Sequence, residues 1–281
     1  MKRLCLILAT LCLAHYQLIS SDVYLDNQNE LQLEQVTSRA SHRNKRPYVR
    51  PAEVDEETWK KLSPYFLPSN RLRLKLDRIF SNERVSLNQQ TLKNAGFRRL
   101  CTGQWNKITV VKHPKLKGYL LKLITDETND VSDWAYCLER IRGAQAIREA
   151  VTKYGYGSLF KVPRKWIYPL PAEPSPPLGY FRKNFLLVVE DMKILTQERN
   201  EALWQSSELT VEHLEAIYTI MNEVGLADIV AFNLPFTKKG KLVFIDTEKH
   251  HIWPVDFTLL RRFLSPEMQQ YWDQLILNGG P

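Results

Sequence analysis

The sequence predicts an α+β fold in two lobes, an antiparallel-sheet lobe followed by a small, reduced helical lobe. Three observations carry this. The segments FRRLCTG, ITVVKHP and YLLKLIT, between Gly96 and Thr125, are short, apolar and separated by turn residues, as in an antiparallel meander. The segment LTVEHLEAIYTIMNEVG places Leu214, Ile217, Tyr218 and Met221 on one helical face and stops at Gly225. The composition, 44% hydrophobic and 25% charged over 281 residues, suits one large core or two smaller ones and excludes disorder throughout.

At the start, Lys2 and Arg3 precede an apolar run from Leu4 to Ala14, the layout of a secretory signal peptide over 1–14. That run is too short to span a bilayer, and a short uncleaved anchor stays open as the alternative. The expectation is a secreted, secretory-pathway or periplasmic protein with no transmembrane span in the mature chain. Residues 15–51 are polar, carry the basic cluster SHRNKRPYVRP and read as a linker or arm. Residues 52–95 read as three short helices, the second (SNRLRLKLDRIFS) with Ser69 as its cap. There Leu72, Leu74 and Leu76 alternate with bases, which leaves a strand open. The sequence assigns this extension no chemistry.

The meander opens a section from 96 to 192. A helix is expected from about Trp134 to Tyr154, followed by strand-like KVPRKWIYPL, the loop PAEPSPP and the apolar strand NFLLVVEDM. From 193 to 281 the amphipathic helix leads into a loop, the short strands FNLPF and LVFID, and a further helical stretch, TLLRRFLSPEMQQYWDQLIL. The aromatic residues of this tail read as packing for the second lobe.

The net charge of +8 and pI near 9.2 suit anionic partners without choosing among nucleotide, nucleic acid and acidic lipid, and a solvated basic surface is the plainer account of them. Cys5 and Cys12 lie in the leader, so a processed chain keeps Cys101 and Cys137, whose pairing stays open. No Cys or His set has zinc-ligand spacing.

The chemistry lies in GLADIVAFNLPFTKKGKLVFIDTEKH, residues 225–250. Asp228 precedes Asn233 by five positions, and Asp246 follows thirteen later across the turn TKKGK. A hairpin turned at Gly240 brings Asn233 and Asp246 to the outer ends of paired strands, where their oxygens converge on a hard cation. Asp246 ends an apolar strand, and a carboxylate there needs a partner to offset desolvation. The plain alternatives are a turn cap for Asp228, a local Asx bond for Asn233 and an exposed edge-strand lysine for Lys122.

This spacing resembles the protein-kinase-like superfamily, with a catalytic-loop Asp, an Asn five later and a metal-binding Asp beyond a hairpin. The resemblance covers about Gly96 to Leu264. It implies ATP and Mg2+ as cofactors, Asp228 facing an acceptor hydroxyl, and Asn233 and Asp246 as metal ligands. Lys122 would hold the nucleotide phosphates, paired with a helix glutamate, Glu149 favoured over Glu139. Gly103 would belong to the phosphate loop, and Glu190 to Met192 would form a hinge whose backbone holds adenine, backed by Val188 and Val189. The phosphate loop TGQWNK has Gly103 alone, Leu226 and Ala227 precede Asp228, and Thr247 and Glu248 follow Asp246. These departures resemble the atypical branch of small-molecule and effector kinases. The implied function is an exported phosphotransferase acting on an unidentified hydroxyl acceptor: protein, sugar or lipid head group. The alternatives are an inactive pseudokinase that binds a protein partner or, on charge alone, a basic nucleic-acid or membrane-surface protein, although no strong nucleic-acid signature is present.

Overall fold

The order of chain segments across the sheet determines where the candidate residues fall. The computed structural model describes residues 47–102, 108–129 and 131–281. The leader, the arm as far as residue 46, and Gly103 lie outside the described residues. The fold is α+β, with a five-stranded antiparallel sheet and several helices.

Three helices precede the sheet: α1 (Glu56–Leu62), α2 (Arg71–Phe80) and α3 (Gln89–Asn94). Asp55, Asn70 and Asn88 cap them, each side chain accepting an amide hydrogen bond from the third residue on. The cap of α2 is therefore Asn70 and not Ser69. This segment is helical throughout, because Leu72, Leu76, Ile79 and Phe80 share a face that packs on the sheet while Leu74 is left exposed. One compact unit runs from Tyr48 to Pro281 and so takes in the end of the predicted arm. The Tyr48 hydroxyl donates to the Leu67 carbonyl at 3.0 Å, and the Arg73 guanidinium lies 3.6 Å from the Tyr48 ring centre.

Strands β1 (Arg98–Thr102), β2 (Ile108–Lys112) and β3 (Tyr119–Ile124) form the expected meander, followed by the long helix α4 (Asp133–Lys153). The next apolar stretch splits at Pro163 into β4 (Phe160–Lys161) and β5 (Lys165–Pro169), since proline has no amide for the ladder. Strand β6 (Phe185–Glu190) then inserts between β3 and β5, giving the order β1-β2-β3-β6-β5.

Side chains alternate across this sheet. On one face Leu121, Leu123, Leu186, Val188 and Tyr168 meet Leu76, Phe80 and Leu92, so the extension at 52–95 supplies a covering layer. On the other face Ile124, Leu187, Val189 and Ile167 meet Leu138 and Ile141 of α4. By the same alternation Lys122 and Lys165 lie on the α4 face.

Beyond the sheet come α5 (Gln197–Trp204), which the sequence did not announce, and α6 (Val211–Val224), capped by Thr210 and ended by Gly225 as expected. The segment FNLPF is no strand, because Pro235 cannot donate; it makes a single bridge, Phe236 to Leu242. Strand β7 (Leu242–Val243) pairs in parallel with β4. The final stretch breaks into α7 (Thr258–Arg261) and α8 (Pro266–Leu277), with Ser265 capping the second. Trp204, Phe236, Phe244 and Trp272, all essentially inaccessible, fill the core around α6. Among the described residues no helix is long and apolar enough to cross a membrane.

Candidate functional site

Gly225 begins the site. It sits at φ +64°, which a glycine adopts without strain, and a Cβ there would come within 2.6 Å of the Trp253 ring. The chain turns sharply off α6 into residues 226–233. Leu226, Ile229, Ala231 and Leu234 are buried beneath this loop, which leaves Asp228 exposed on top. The Ala227 amide donates to the Lys249 carbonyl at 3.2 Å, joining the loop to the segment after Asp246. From α5, buried Asn200 donates to the Ala231 carbonyl (3.0 Å) and accepts from the Phe236 amide (2.9 Å).

The hairpin expected from the sequence is present. The Val243 amide donates to the Pro235 carbonyl at 3.0 Å and the Ile245 amide to the Asn233 carbonyl at 3.1 Å, with Gly240 at φ +78° in the turn. Asn233 thus lies across from Ile245, one residue before Asp246. Its Nδ2 donates to the Asp228 carbonyl at 2.8 Å, leaving Oδ1 as the group available to a cation. Asp228, Asn233, Asp246, Glu248 and Lys249, with Leu226 and Ile229, line one small cleft of about 10 Å3, room for a single water-sized occupant. Lys122 reaches the residue before Asp246 from β3, its Nζ donating to the Ile245 carbonyl at 3.1 Å.

Arg140 of α4, 3% exposed, holds the position facing Asp246. Its guanidinium lies 3.4 Å from Asp246 Oδ1 and 2.8 Å from Glu248 Oε2, and it stacks on the Tyr136 ring at 3.8 Å. Burial raises the Asp246 carboxyl, but the charges of Arg140, Lys122 and Lys165 overcome this and hold it below the usual carboxylate range. Its Oδ1 is buried and accepts no hydrogen bond among the described residues. Lys165, also buried, donates to Thr247 Oγ1 at 2.6 Å, and that hydroxyl donates to the Arg140 carbonyl at 2.6 Å. Burial, with the neighbouring charge of Lys122, pushes the Lys165 ammonium well down. Gly143 permits this docking: a Cβ there would stand 1.8 Å from the Thr247 carbonyl oxygen.

Glu149, the favoured partner for Lys122, is exposed, and its charge acts on the adjacent Arg148. It falls nine residues after Arg140, about two and a half helical turns and so the opposite face. Glu139 is engaged elsewhere, 3.3 Å from His250 Nε2 and 3.8 Å from Arg142. At residues 190–192, expected from the resemblance to form a hinge, the Glu190 amide donates to the Arg164 carbonyl and the Asp191 amide to the Gly118 carbonyl. The Glu190 carboxylate holds Arg164 at 2.7 Å. Met192 is half-buried. Cys137 is a free, buried thiol.

Of the residues that the sequence singles out, the fold brings Asp228, Asn233 and Asp246 to one cleft and bonds Lys122 to the residue before Asp246; Arg140, Lys165, Thr247 and Asn200, which pack around them, were not singled out. A scan against models of known protein families finds no match, and a search of curated proteins finds none either.

Proposed function

We propose that this protein is an ATP- and magnesium-dependent phosphotransferase with a two-lobed, protein-kinase-like fold. The observation that carries the reading is the convergence of Asn233 and Asp246 in one ion-sized cleft beside Asp228, with Lys122 bonded to the residue preceding Asp246. The strand order, with a long helix inserted after β3, supports it.

The residues fit a magnesium ion. Asp246 Oδ1 is a buried carboxylate oxygen that accepts no hydrogen bond and is balanced by the Arg140 guanidinium at 3.4 Å, a charge with which a bound cation would share the carboxylate, and Asn233 Oδ1 is not committed to the loop. Among the described residues no three His, Cys, Asp or Glu side chains form a metal-binding group. One carboxylate and one amide nevertheless suit magnesium, which keeps waters and substrate phosphates as its other ligands. Bound there, it would neutralise charge on the phosphate oxygens. Lys122 supplies a further positive charge for the phosphates. Asp228, exposed on a loop fixed by Asn233, accepts a hydrogen bond from the acceptor hydroxyl, orients it and takes its proton. With the Glu190 and Asp191 amides engaged inside the protein, adenine contact at the hinge falls to the Glu190 carbonyl and the Met192 amide. The acceptor is a hydroxyl on a protein, a sugar or a lipid head group.

One observation favours a second reading, nucleotide binding without transfer: the guanidinium of Arg140 stands where a helix carboxylate was expected and already pairs with Asp246. Asp228→Asn separates the two readings. Phosphoryl transfer from labelled ATP to an acceptor pool should fall at least a hundredfold in this variant while nucleotide affinity stays within about twofold. Absence of transfer by the wild type to every acceptor class, with nucleotide bound, would leave the second reading standing.

A further inference from the structure

A second concavity lies away from the Asp246 cleft, among α2, the end of α3 and the turn between β2 and β3. It measures about 690 Å3, the size of a small-ligand site. Its charge is one-sided. Lys75 and Arg78 line it from α2, and Lys115 and Lys117 from the turn HPKLKG, against the single carboxylate of Glu83. Among the described residues none of these four cations forms an ion pair, whereas Arg73, on the same helix, pairs with Asp77 at 3.7 Å.

The frame is fixed before any ligand arrives. Lys75 Nζ donates to the Lys115 carbonyl at 2.8 Å, joining helix to turn. Buried His113 holds the turn from below: its Nδ1 accepts from the Lys115 amide at 3.1 Å, so its Nε2 carries the proton donated to the Ala95 carbonyl, also at 3.1 Å. Burial lowers the pKa of this imidazole, in the sense that favours the arrangement. The Leu116 amide closes the turn on the His113 carbonyl at 2.9 Å. Two short basic segments, RLRLKLDR and HPKLK, therefore face one hollow on rigid supports, with Ile79 and Val85 among its apolar lining.

We propose that this groove is a binding site for a ligand carrying clustered phosphate groups. Four unneutralised cations around a concave surface stabilise several negative charges held close together far more than a single carboxylate. Four of the twelve lining residues are lysine or arginine, and a purely apolar ligand would leave them desolvated without partners. The site is independent of the phosphotransferase reading, since it shares no residue with the Asp246 cleft.

The test is calorimetric titration of the whole protein with inositol hexakisphosphate at physiological salt, alongside flotation with phosphatidylcholine vesicles with and without phosphatidylinositol bisphosphate. Lys115→Gln/Lys117→Gln, two exposed turn positions, should weaken binding at least tenfold, and Glu83→Gln should strengthen it. Asp246→Ala and Lys238→Gln/Lys239→Gln, none of them in the lining, should leave it unchanged. Binding of the soluble probe identifies a free phosphate ligand. Binding confined to the phosphoinositide vesicles, lost in the same turn variant, identifies a lipid head group. Absence of binding to both probes overturns the proposal, as does binding insensitive to the turn variant or equally weakened by the Lys238/Lys239 pair.

Discussion

Asn233 Nδ2 donates to the backbone carbonyl of Asp228 at 2.8 Å, so one side chain both shapes the exposed loop and offers its remaining oxygen to the cleft. Asn233→Asp keeps an oxygen at that place but turns it against the Asp228 carbonyl. It should lower stability by about 1 kcal/mol, read from urea unfolding. Asn233→Ala loses the cation-facing oxygen as well, and in calorimetric titration of ATP the gain in affinity produced by magnesium should vanish.

Arg140 and Asp246 form a mostly buried pair, and Glu248 shares the guanidinium. Arg140→Met should cost about 3 kcal/mol, because it leaves the Asp246 charge without its nearest counter-ion. Adding Asp246→Asn should recover at least about 1 kcal/mol of that loss. A double-mutant cycle in urea measures the coupling, and strict additivity would contradict the pairing.

The extension at 52–95 is predicted to be integral to the sheet. Asp126, with no exposed surface, receives Arg84 Nε at 2.8 Å, Arg84 Nη2 at 2.9 Å and the Lys183 amide at 2.7 Å. Arg84 thereby ties the extension to the loops after β3 and before β6. Arg84→Met should destabilise the fold by about 3–5 kcal/mol, since it strands a buried carboxylate. Chemical denaturation should show one cooperative transition moved to lower denaturant.

Asp191 gives a pH signature just past the end of β6. Partial burial raises its carboxyl, but Lys112 Nζ at 2.7 Å and Lys193 Nζ at 2.5 Å overcome this and hold it at about 2. A lowered folded-state pKa contributes stability that is fully present above the ordinary carboxylate value near 3.8 and is lost as pH falls toward 2. Allowing for screening at exposed Lys193, that contribution is about 1–2 kcal/mol. Asp191→Asn should be less stable at neutral pH by this amount and lose less stability than wild type between about pH 4 and 2. Parallel acid limbs in thermal melts would contradict this.

The legible parts of the site were those fixed by short-range geometry. Asn233 and Asp246 meet through a hairpin whose turn is written as TKKG, and the two-residue period of β3 sends Lys122 to the face opposite Leu121 and Leu123. Arg140 and Lys165 were not legible, because their meeting with Asp246 and Thr247 depends on how α4 packs against a segment about a hundred residues later. One clue was present. A glycine in mid-helix costs about 1 kcal/mol relative to alanine, and Gly143 stands where the Thr247 backbone leaves no room for a side chain. Phasing α4 on Gly143 puts Arg140, one turn earlier, toward the site and Glu149 away from it. Helix α5 was missed because QERNEALW has no apolar stripe; buried Asn200 and Trp204 earn its place through hydrogen bonds to the loop.

The central claim is that Lys122, Asn233 and Asp246 form one nucleotide-and-metal site. The most direct test is a thermal shift of wild type, Lys122→Ala and Asp246→Ala with ATP, with and without magnesium. The account predicts that ATP raises the wild-type Tm and magnesium raises it further. Lys122→Ala should reduce both shifts, and Asp246→Ala should abolish the magnesium increment alone. A wild type indifferent to millimolar nucleotide, or variants that shift as much as the wild type does, would contradict it.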